Sequence, residues 1–440
     1  MLSNKQVVVA GFAVIFLGLF NSNSFAAQAA DATPADAEST VSVELFDAGF
    51  HRLPPAERMR RASAGYLSRI EPTGKPSVER LSDYIARYIE ANVYDPRYTV
   101  CDVRAEHQPG TTGTVMLTGD VLVPRYSSGI ESTMTGLGFN VARNAIVVLP
   151  QLPSDTMPYG EATTSAASLR RFPRHASEQM NSVPLGGWVR LLRAARPSDL
   201  DGLAARSTRR NPASTAPLEQ GWFLGQSPEG YVGFVSSDDL HPIGNTFEAD
   251  AMLMKPIHVA LADSDVGLTV PLGAWLRRAG DGWSVNFQGK SIAIPADATV
   301  ARARAATLEP ADIIAMASPL MQTGYEWGGT TEHGIDCSGF TQFIFKSRGI
   351  FLPRDAEQQS IVGNLVAEGE DVARLAQPGD LIFFLNERGK ISHVGISLGG
   401  DRVMHSNNAS GVHIGQLLTA EKGTTEPLIE RTLFARRVSF

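Results

Sequence analysis

The chemistry that this sequence offers begins with its two cysteines. The 440-residue chain contains only Cys101 and Cys337, which excludes a disulfide framework and a zinc or iron–sulfur site built from cysteines. After Cys337, aromatic and aliphatic side chains recur with helical spacing until Gly349, so we predict a helix that begins at the cysteine. Unpaired N–H groups and the helix dipole stabilise a thiolate there, and a thiolate is a nucleophile.

A thiolate nucleophile needs a base, and the nine histidines are the candidates. Residues 392–398 alternate as a strand does, with valine, isoleucine and leucine on one face and His393 on the other. If Gly399 and Gly400 form a two-residue hairpin loop, His393 lies opposite Ser406 and beside His405. In a regular hairpin with this loop, His405 is one residue away from the position directly opposite His393. A bulge or a longer loop would therefore be needed to pair the two histidines.

Neither residue type is diagnostic alone, because a lone cysteine before an aromatic helix is usually core and a histidine in a strand is usually an ordinary side chain. Cys101 lies within an apolar strand, and we interpret it as a small buried hydrophobe.

Composition bounds the class of protein. Hydrophobic residues make up 43% and charged residues 19%, which suits a folded globular chain and excludes disorder and collagen. The 39 Lys and Arg against 46 Asp and Glu give a net charge of -7, which argues against nucleic acid as a partner. No cofactor or metal is predicted.

The N-terminus predicts export. Lys5 precedes an apolar run over residues 7–20, and residues 24–26 form a small-x-small cleavage pattern, so we expect a signal peptide over residues 1–26 that is cut after Ala26. The run is shorter than the ~20 residues that span a bilayer, so we expect no stable membrane anchor, with a retained anchor as the alternative. Residues 27–50 should form a flexible leader.

Four modules should follow the leader. Residues 51–150 predict a small α+β module in the order helix, strand, strand, helix, strand, and this order is similar to a BON-type module. The helices are expected at residues 77–91 and 131–137, and the strands at 98–105, 114–123 and 145–149.

Residues 155–243 and 250–302 contain short strands with glycine turns and tryptophans, which resemble two bacterial SH3-like barrels. The first has an insertion at about residues 195–217. The first barrel and its insertion are rich in arginine, which indicates either a solvated surface or attraction to an anionic polymer or to substrate carboxylates. These arginines are Arg170, Arg171, Arg174, Arg190, Arg193, Arg196, Arg206, Arg209 and Arg210.

Residues 303–440 carry the motifs that decide the function. A helix should begin at Pro310 and kink or end at Pro319. An ordered set of motifs then follows: Tyr-x-Trp-Gly-Gly at 325–329, Asp-Cys-Ser-Gly at 336–339, Leu-Pro-Arg at 352–354, Pro-Gly-Asp-Leu-Ile-Phe-Phe at 378–384 and Ser-His-Val-Gly-Ile at 392–396. This set resembles the NlpC-type family of papain-like peptidoglycan endopeptidases. The expected fold is therefore multidomain α+β, with a papain-like C-terminal domain behind two SH3-like barrels and an N-terminal α+β module.

The resemblance implies a Cys-His-His triad. Cys337 would be the nucleophile, His393 the general base and later the acid to the leaving amine, and His405 the residue that orients His393. Splitting amide cleavage into acyl transfer and hydrolysis makes two easier steps. His413 is the alternative third residue, whereas the family pattern gives His333 no role.

The same resemblance implies substrate contacts. Tyr325 would line the cleft and help to hold the oxyanion together with N–H groups at the helix start. Asp336 and Ser338 would help to bind the amino end of the substrate peptide, although Asp336 is equally interpretable as only a helix cap. Arg354 and Gln358 are open between packing and contact with the substrate edge.

The domain order resembles exported peptidases that cut between D-γ-glutamyl and a diamino acid such as meso-diaminopimelate. In that subgroup an SH3-like barrel walls off one end of the cleft and favours peptides with a free N-terminal L-Ala. The expected partner is thus a peptidoglycan stem peptide or muropeptide, and the protein should be a monomer. The alternatives are an endopeptidase that acts on intact cross-linked wall and a wall-binding protein whose catalytic domain has decayed.

Overall fold

The computed structural model describes residues 52–200, 219–260, 267–301, 309–421 and 426–438. The predicted signal peptide, the leader and the arginines at 206, 209 and 210 lie outside the described residues. The chain divides into two compact units, Met1–Pro72 and Thr73–Phe440. The first contains α1 (Pro55–Ile70), which the sequence analysis did not predict and which has proline at its first position, where its missing N–H costs nothing.

The second unit begins with an α+β layer in the predicted order. Its elements are α2 (Leu81–Asn92), β1 (Cys101–His107), β2 (Thr114–Val121), α3 (Pro124–Gly136) and β3 (Asn140–Val148). β2 pairs antiparallel with β1 and parallel with β3, and α3 makes the crossover that a parallel pair requires. The helix α3 begins earlier than expected because Pro124 is well suited to its first turn. The similarity to a BON-type module remains a prediction.

Cys101 lies at the start of β1, which is an edge strand of this sheet. The side chain is therefore half-buried rather than the fully buried hydrophobe that we expected. Burial is still sufficient to raise the pKa of Cys101 to about 11, so this thiol stays protonated at neutral pH.

The first all-β stretch forms one sheet of seven strands in the order β10-β4-β7-β8-β9-β5-β6. The strands are β4 (Tyr159–Ala162), β5 (Ala166–Arg170), β6 (Gln179–Pro184), β7 (Trp188–Ala194), β8 (Trp222–Gln226), β9 (Val232–Ser236) and β10 (Leu240–Ile243). The insertion lies between β7 and β8, and most of it falls outside the described residues.

The second all-β stretch forms a five-stranded sheet in the order β16-β15-β14-β11-β17 and a separate β12-β13 hairpin. The strands are β11 (Ala251–Leu253), β12 (Ile257–Ala260), β13 (Gly267–Val270), β14 (Trp275–Ala279), β15 (Gly282–Phe287), β16 (Lys290–Ile294) and β17 (Val300–Ala301). Trp283 and Leu276 lie in its core. The interpretation of the two stretches as SH3-like barrels remains a prediction.

The C-terminal region is a helix-on-sheet layer around a six-stranded sheet in the order β20-β25-β21-β22-β23-β24. Its elements in chain order are α4 (Pro310–Ala317), β18 (Thr330–Thr331), β19 (Gly334–Ile335), α5 (Cys337–Lys346), α6 (Ala356–Gln359), β20 (Asn364–Glu368), α7 (Val372–Leu375), β21 (Leu381–Leu385), β22 (Ile391–Ser397), β23 (Arg402–Asn407), β24 (Gly411–Gln416) and β25 (Thr432–Arg437).

The central strand β21 shows why this sheet is stable. Phe383 packs into the core beneath α5, whereas Phe384 packs into a second core on the opposite face. A strand that is buried on both faces is apolar along its length, and β21 reads Leu-Ile-Phe-Phe-Leu.

As predicted, α4 ends just before Pro319, and a 3₁₀ turn continues the chain.

Candidate functional site

The helix α5 begins at Cys337, as the sequence predicted. Asp336 caps it, because its carboxylate accepts the N–H of Gly339 at 2.7 Å and satisfies one of the open donors of the first turn. Phe340 and Ile344 bury the inner face of the helix in the core that β21 and β22 also line. The cap and the packed face together hold Cys337 at the positive end of the helix.

The sulfur of Cys337 is enclosed by polar groups from two other elements. The hydroxyl of Tyr325 and the backbone N–H of Val394 on β22 both lie beside it. The residue is only 4% exposed, and burial raises the pKa of Cys337 to about 12, with the negative charge of Asp336 adding to the effect. The resting Cys337 side chain is therefore a neutral thiol, because desolvation outweighs the helix dipole that we expected to dominate.

His393 directly precedes Val394, the residue whose amide lies beside the thiol. Its ring packs beside Phe384, with 5.5 Å between the ring centroids. Its Nε2 lies 2.7 Å from Nδ1 of His405. Cys337, Tyr325, His393 and His405 are thus brought to one region of the domain.

The loop before β23 explains how the two histidines meet. Leu398 pairs with Arg402 rather than with Asp401. The loop therefore contains Gly399, Gly400 and Asp401, which is the longer-loop alternative and not the two-residue hairpin. Ile396 consequently faces Met404, one position further along than the two-residue loop would give. A shift of one residue exchanges the faces of a strand, and here it places His393 and His405 on the same face as diagonal neighbours.

Glu421 completes this series, and the sequence analysis missed it. Its Oε1 lies 2.8 Å from Nε2 of His405 and 3.1 Å from Nε2 of His413, and its Oε2 accepts the side-chain amide of Asn407 at 2.9 Å. Burial alone would raise the pKa of Glu421, but the hydrogen bonds from the two histidines outweigh it and hold the pKa well below its ordinary value. Glu421 follows β24 without a motif or a periodic pattern, so only the fold reveals it.

The ionised carboxylate determines where the ring protons lie. Glu421 can only accept, so His405 carries its proton on Nε2 and presents Nδ1 as an acceptor. His393 must then donate from Nε2 to His405, which leaves Nδ1 of His393 with a free lone pair. Burial, reinforced by the neighbouring His405, holds the pKa of His393 well below its ordinary value. A neutral imidazole therefore accompanies the neutral thiol.

His413, the alternative third residue, does not contact His393. It pairs with Glu421 and packs beside His405, with ring centroids 4.5 Å apart. His333 is exposed on the turn between β18 and β19. The geometry thus favours His405 as the orienting residue.

Asp336 and Ser338, the predicted substrate contacts, are engaged with the buried Arg354. The guanidinium donates to both oxygens of Asp336, at 3.0 and 2.6 Å, and to the hydroxyl of Ser338 at 2.9 Å. Arg354 has no exposed side-chain surface. The cap interpretation of Asp336 is confirmed, and its role in substrate binding stays a prediction.

Arg354 and Gln358 serve packing between modules. Tyr98, which precedes β1, accepts the N–H of Arg354 at 2.8 Å and hydrogen-bonds with Gln358 at 3.1 Å. Gln358 also donates to Asp95 at 2.7 Å. The α+β layer therefore braces the segment that holds Asp336, which answers the question left open by the sequence.

The first β-sheet reaches the loop that carries Tyr325. Ser182 on β6 hydrogen-bonds with Thr330 at 2.6 Å. Gly328 has a φ of +75°, and a side chain there would come within 2.4 Å of the Gln179 carbonyl. Only glycine permits this approach, which seats β6 against one side of the loop from Tyr325 to Thr330.

The arginines of the first β-sheet are more strongly paired than either interpretation assumed. Arg193 is buried and hydrogen-bonds with Asp120 of β2 and with Asp199. Arg196 also donates to Asp120, and Arg171 pairs with Glu178. Arg193 thus joins two modules instead of facing solvent, because a buried guanidinium requires anionic partners.

A cysteine at the start of a helix that packs on an antiparallel sheet, with a histidine strand beside it, defines a papain-like α+β domain. Residues 322–428 match the model of the NlpC/P60 family. A Bacillus subtilis protein named Gamma-D-glutamyl-L-lysine dipeptidyl-peptidase is 32% identical over 226 residues, which cover 49% of this chain and 71% of that protein. The chain belongs to the NlpC/P60 family.

Another relative and a solved structure match different shares of the chain. A Haemophilus influenzae protein named Probable endopeptidase NlpC homolog is 40% identical over 96 residues, covering 22% of this chain and 48% of that protein. A crystal structure of an NlpC/P60 family protein from Bacillus cereus aligns over 64% of this chain and 100% of that chain, at 22% identity and a TM-score of 0.49.

Within the part of the chain that the structure describes, every helix is too short or too polar to cross a bilayer.

Proposed function

We propose that this chain is an exported cysteine endopeptidase that hydrolyses peptidoglycan stem peptides at the amide bond between D-γ-glutamyl and a diamino acid such as meso-diaminopimelate. The observation that carries the proposal is the hydrogen-bonded series from His393 through His405 to Glu421. The Cys337 thiol lies beside Val394, which directly follows His393, and beside Tyr325. The family and the names of its relatives support the substrate class. The Bacillus subtilis relative is named for lysine, so both diamino acids belong in the test.

The geometry suggests how the reaction proceeds. Nδ1 of His393 takes the proton of the Cys337 thiol as the sulfur attacks the peptide carbonyl, so no free thiolate has to persist in the buried site. The imidazolium that forms on His393 is stabilised through His405 by the charge of Glu421. His393 then protonates the leaving amine, and water hydrolyses the thioester.

Two groups are available for the oxyanion. The first turn of α5 carries backbone N–H groups without partners inside the helix, and that of Ser338 lies beside the reacting sulfur. The Tyr325 hydroxyl approaches from the opposite loop, and burial raises its pKa, so it remains a hydrogen-bond donor. Donors that are fixed before the reaction stabilise the developing charge at little reorganisation cost.

The contact of β6 with the catalytic loop supports a preference for released fragments. Ser182 and Gln179 place the first β-sheet against the loop from Tyr325 to Thr330. A wall at one end of a cleft excludes substrates that continue in that direction, so a peptide with a free N-terminal L-Ala would be accepted and a muramyl-capped peptide rejected.

The test uses defined tripeptide and tetrapeptide stems with mass spectrometry of the products. The wild type should release L-Ala-D-Glu, Cys337→Ala should release none, and the matched control Cys101→Ala should act as the wild type does. Equal cleavage by the wild type and Cys337→Ala would refute the mechanism.

Substrate variants test the specificity. Comparison of free and muramyl-capped stems, and of lysine with diaminopimelate, assigns the preferred substrate. Equal cleavage of capped stems and intact sacculi would favour an enzyme of the cross-linked wall. Binding to sacculi without any product would favour a wall-binding protein.

A further inference from the structure

His405, His413 and Glu421 converge on a single point behind the catalytic histidine. Their ligating atoms all lie within 4.8 Å of one another, with Oε1 of Glu421 between the Nε2 atoms of the two histidines. We propose that these three side chains bind one divalent transition-metal ion, with Zn²⁺ as the reference ion, and that the bound ion switches off the peptidase. The regulatory part rests on the proposed function.

The surrounding bonds orient all three donors towards this point. The Gly411 carbonyl lies 2.9 Å from Nδ1 of His413, so Nδ1 carries a proton and Nε2 is the nitrogen that faces Glu421. Nε2 donates its own proton to Glu421 in the metal-free protein, and a bound ion would displace that proton to solvent. Asn407 occupies Oε2 of Glu421 and leaves Oε1 for the histidines. Metal-binding histidines and carboxylates are typically held by such outer hydrogen bonds.

The donor set selects the class of ion. Two imidazoles and one carboxylate form a common zinc ligand set, with a fourth position left for water, whereas Mg²⁺ and Ca²⁺ prefer oxygen donors. Existing contacts of 2.8 and 3.1 Å between the carboxylate and the two rings require only a small outward movement to admit an ion. The side chain of His413 is 21% exposed and provides access from solvent, while His405 and Glu421 are 1% and 9% exposed.

Occupation of the site would reverse the proton arrangement of the catalytic pair. A metal on Nε2 of His405 requires the ring proton to lie on Nδ1, and this Nδ1–H would donate to Nε2 of His393. The proton of His393 must then lie on Nδ1. Each ring keeps one proton, but the lone pair that accepts the thiol proton is lost.

Binding is tested apart from activity, on tag-free Cys337→Ala protein, which cannot coordinate an ion through the catalytic thiol. Zn²⁺ is titrated against a chromophoric chelator, and Co²⁺ is followed by its absorption spectrum. We expect one equivalent of metal, and His413→Ala in the same background should weaken binding by more than about tenfold because one of three ligands is gone. His258→Ala, which removes an exposed histidine on β12, is the matched control and should not change binding. Absence of binding, or equal binding by the two histidine variants, overturns the site.

Regulation is tested on the enzyme with its thiol intact, and each variant is compared with its own metal-free rate. Zn²⁺ should lower kcat of the wild type, and His413→Ala should need at least about tenfold more Zn²⁺ for the same loss. Equal sensitivity would place the inhibitory ion on the Cys337 thiol and overturn the regulatory part. If Cys337→Ala binds metal through His413 while the wild type cleaves no stem peptide, the site stands and the proposed function fails.

Discussion

Glu421→Gln tests whether the carboxylate behind His405 contributes to catalysis. Glutamine has nearly the same shape but no charge. Its side-chain NH2 group must take the place of one carboxylate oxygen, although that position accepts hydrogen bonds in the wild type. In the wild type the carboxylate accepts from His405 at 2.8 Å, from His413 at 3.1 Å and from Asn407 at 2.9 Å. One of these contacts becomes donor against donor, and the bond from His405 loses its charge assistance.

The expected magnitude follows from these contacts. A hydrogen bond to a charged group contributes about 1.5–3 kcal/mol and a neutral one about 1 kcal/mol. Because Glu421 acts through His405, we expect a loss of about 1.5–2.5 kcal/mol in transition-state stabilisation, which corresponds to about 10- to 70-fold in kcat/KM. The loss should appear in kcat, because Glu421 contacts no part of the substrate in the proposed mechanism.

The assay is the hydrolysis of a defined stem peptide across pH. Glu421 raises the pKa values of His405 and His393 relative to what burial alone would give, so its removal should also shift the acid limb of the profile to lower pH. Glu421→Asp should restore part of the rate, and Glu430→Gln, an exposed charge removal nearby, should leave it unchanged. A folded Glu421→Gln protein with wild-type kcat and an unmoved acid limb would refute the reasoning.

Three other predictions follow from the structure. Arg354→Met should lower the free energy of unfolding by about 3–5 kcal/mol, measured with denaturant, because it leaves the buried Asp336 carboxylate without its cation. The double variant with Asp336→Asn should be less destabilised than the sum of the single variants. Simple additivity of the two losses would contradict this explanation. The acid limb of kcat/KM should lie below pH 6.5, since burial lowers the pKa values of both His393 and His405 from that value and keeps both rings neutral at pH 6.5. A limb above pH 7 would be inconsistent with these environments. Gly328→Ala should destabilise the protein by about 1–3 kcal/mol and raise KM, because the φ of Gly328 is +75° and the new methyl group would meet the Gln179 carbonyl. An unchanged melting temperature and an unchanged KM would show that β6 does not hold the loop from Tyr325 to Thr330.

The helical spacing after Cys337 and the alternation around His393 were enough to place both residues on the correct kind of element. These patterns reflect burial of one helix face and one strand face, which local sequence records directly. The order of elements in the α+β layer was predictable for the same reason. By contrast, the exposure of Cys101 depends on its position at the edge of a sheet, and periodicity does not reveal which strand lies at an edge.

The meeting of His393 and His405 required information that alternation alone lacks. Two glycines suggested a two-residue loop, but Asp401 joins the loop and shifts the register by one residue. That shift decides which face His405 occupies. Glu421 and Arg354 likewise act through partners distant in sequence, so no local pattern indicates what they contact.

The amino-acid sequence by itself determined the family motifs, the nucleophile and base that we predict, and the helix and strand that carry them, because each depends on short-range spacing. The tertiary structure alone decided the ionisation of the site and its outer partners. Burial raises the pKa of Cys337 and lowers that of His393, and a carboxylate from a later loop arranges the ring protons between them. Desolvation and hydrogen-bond direction depend on everything packed around an atom, and only the folded chain brings those groups together.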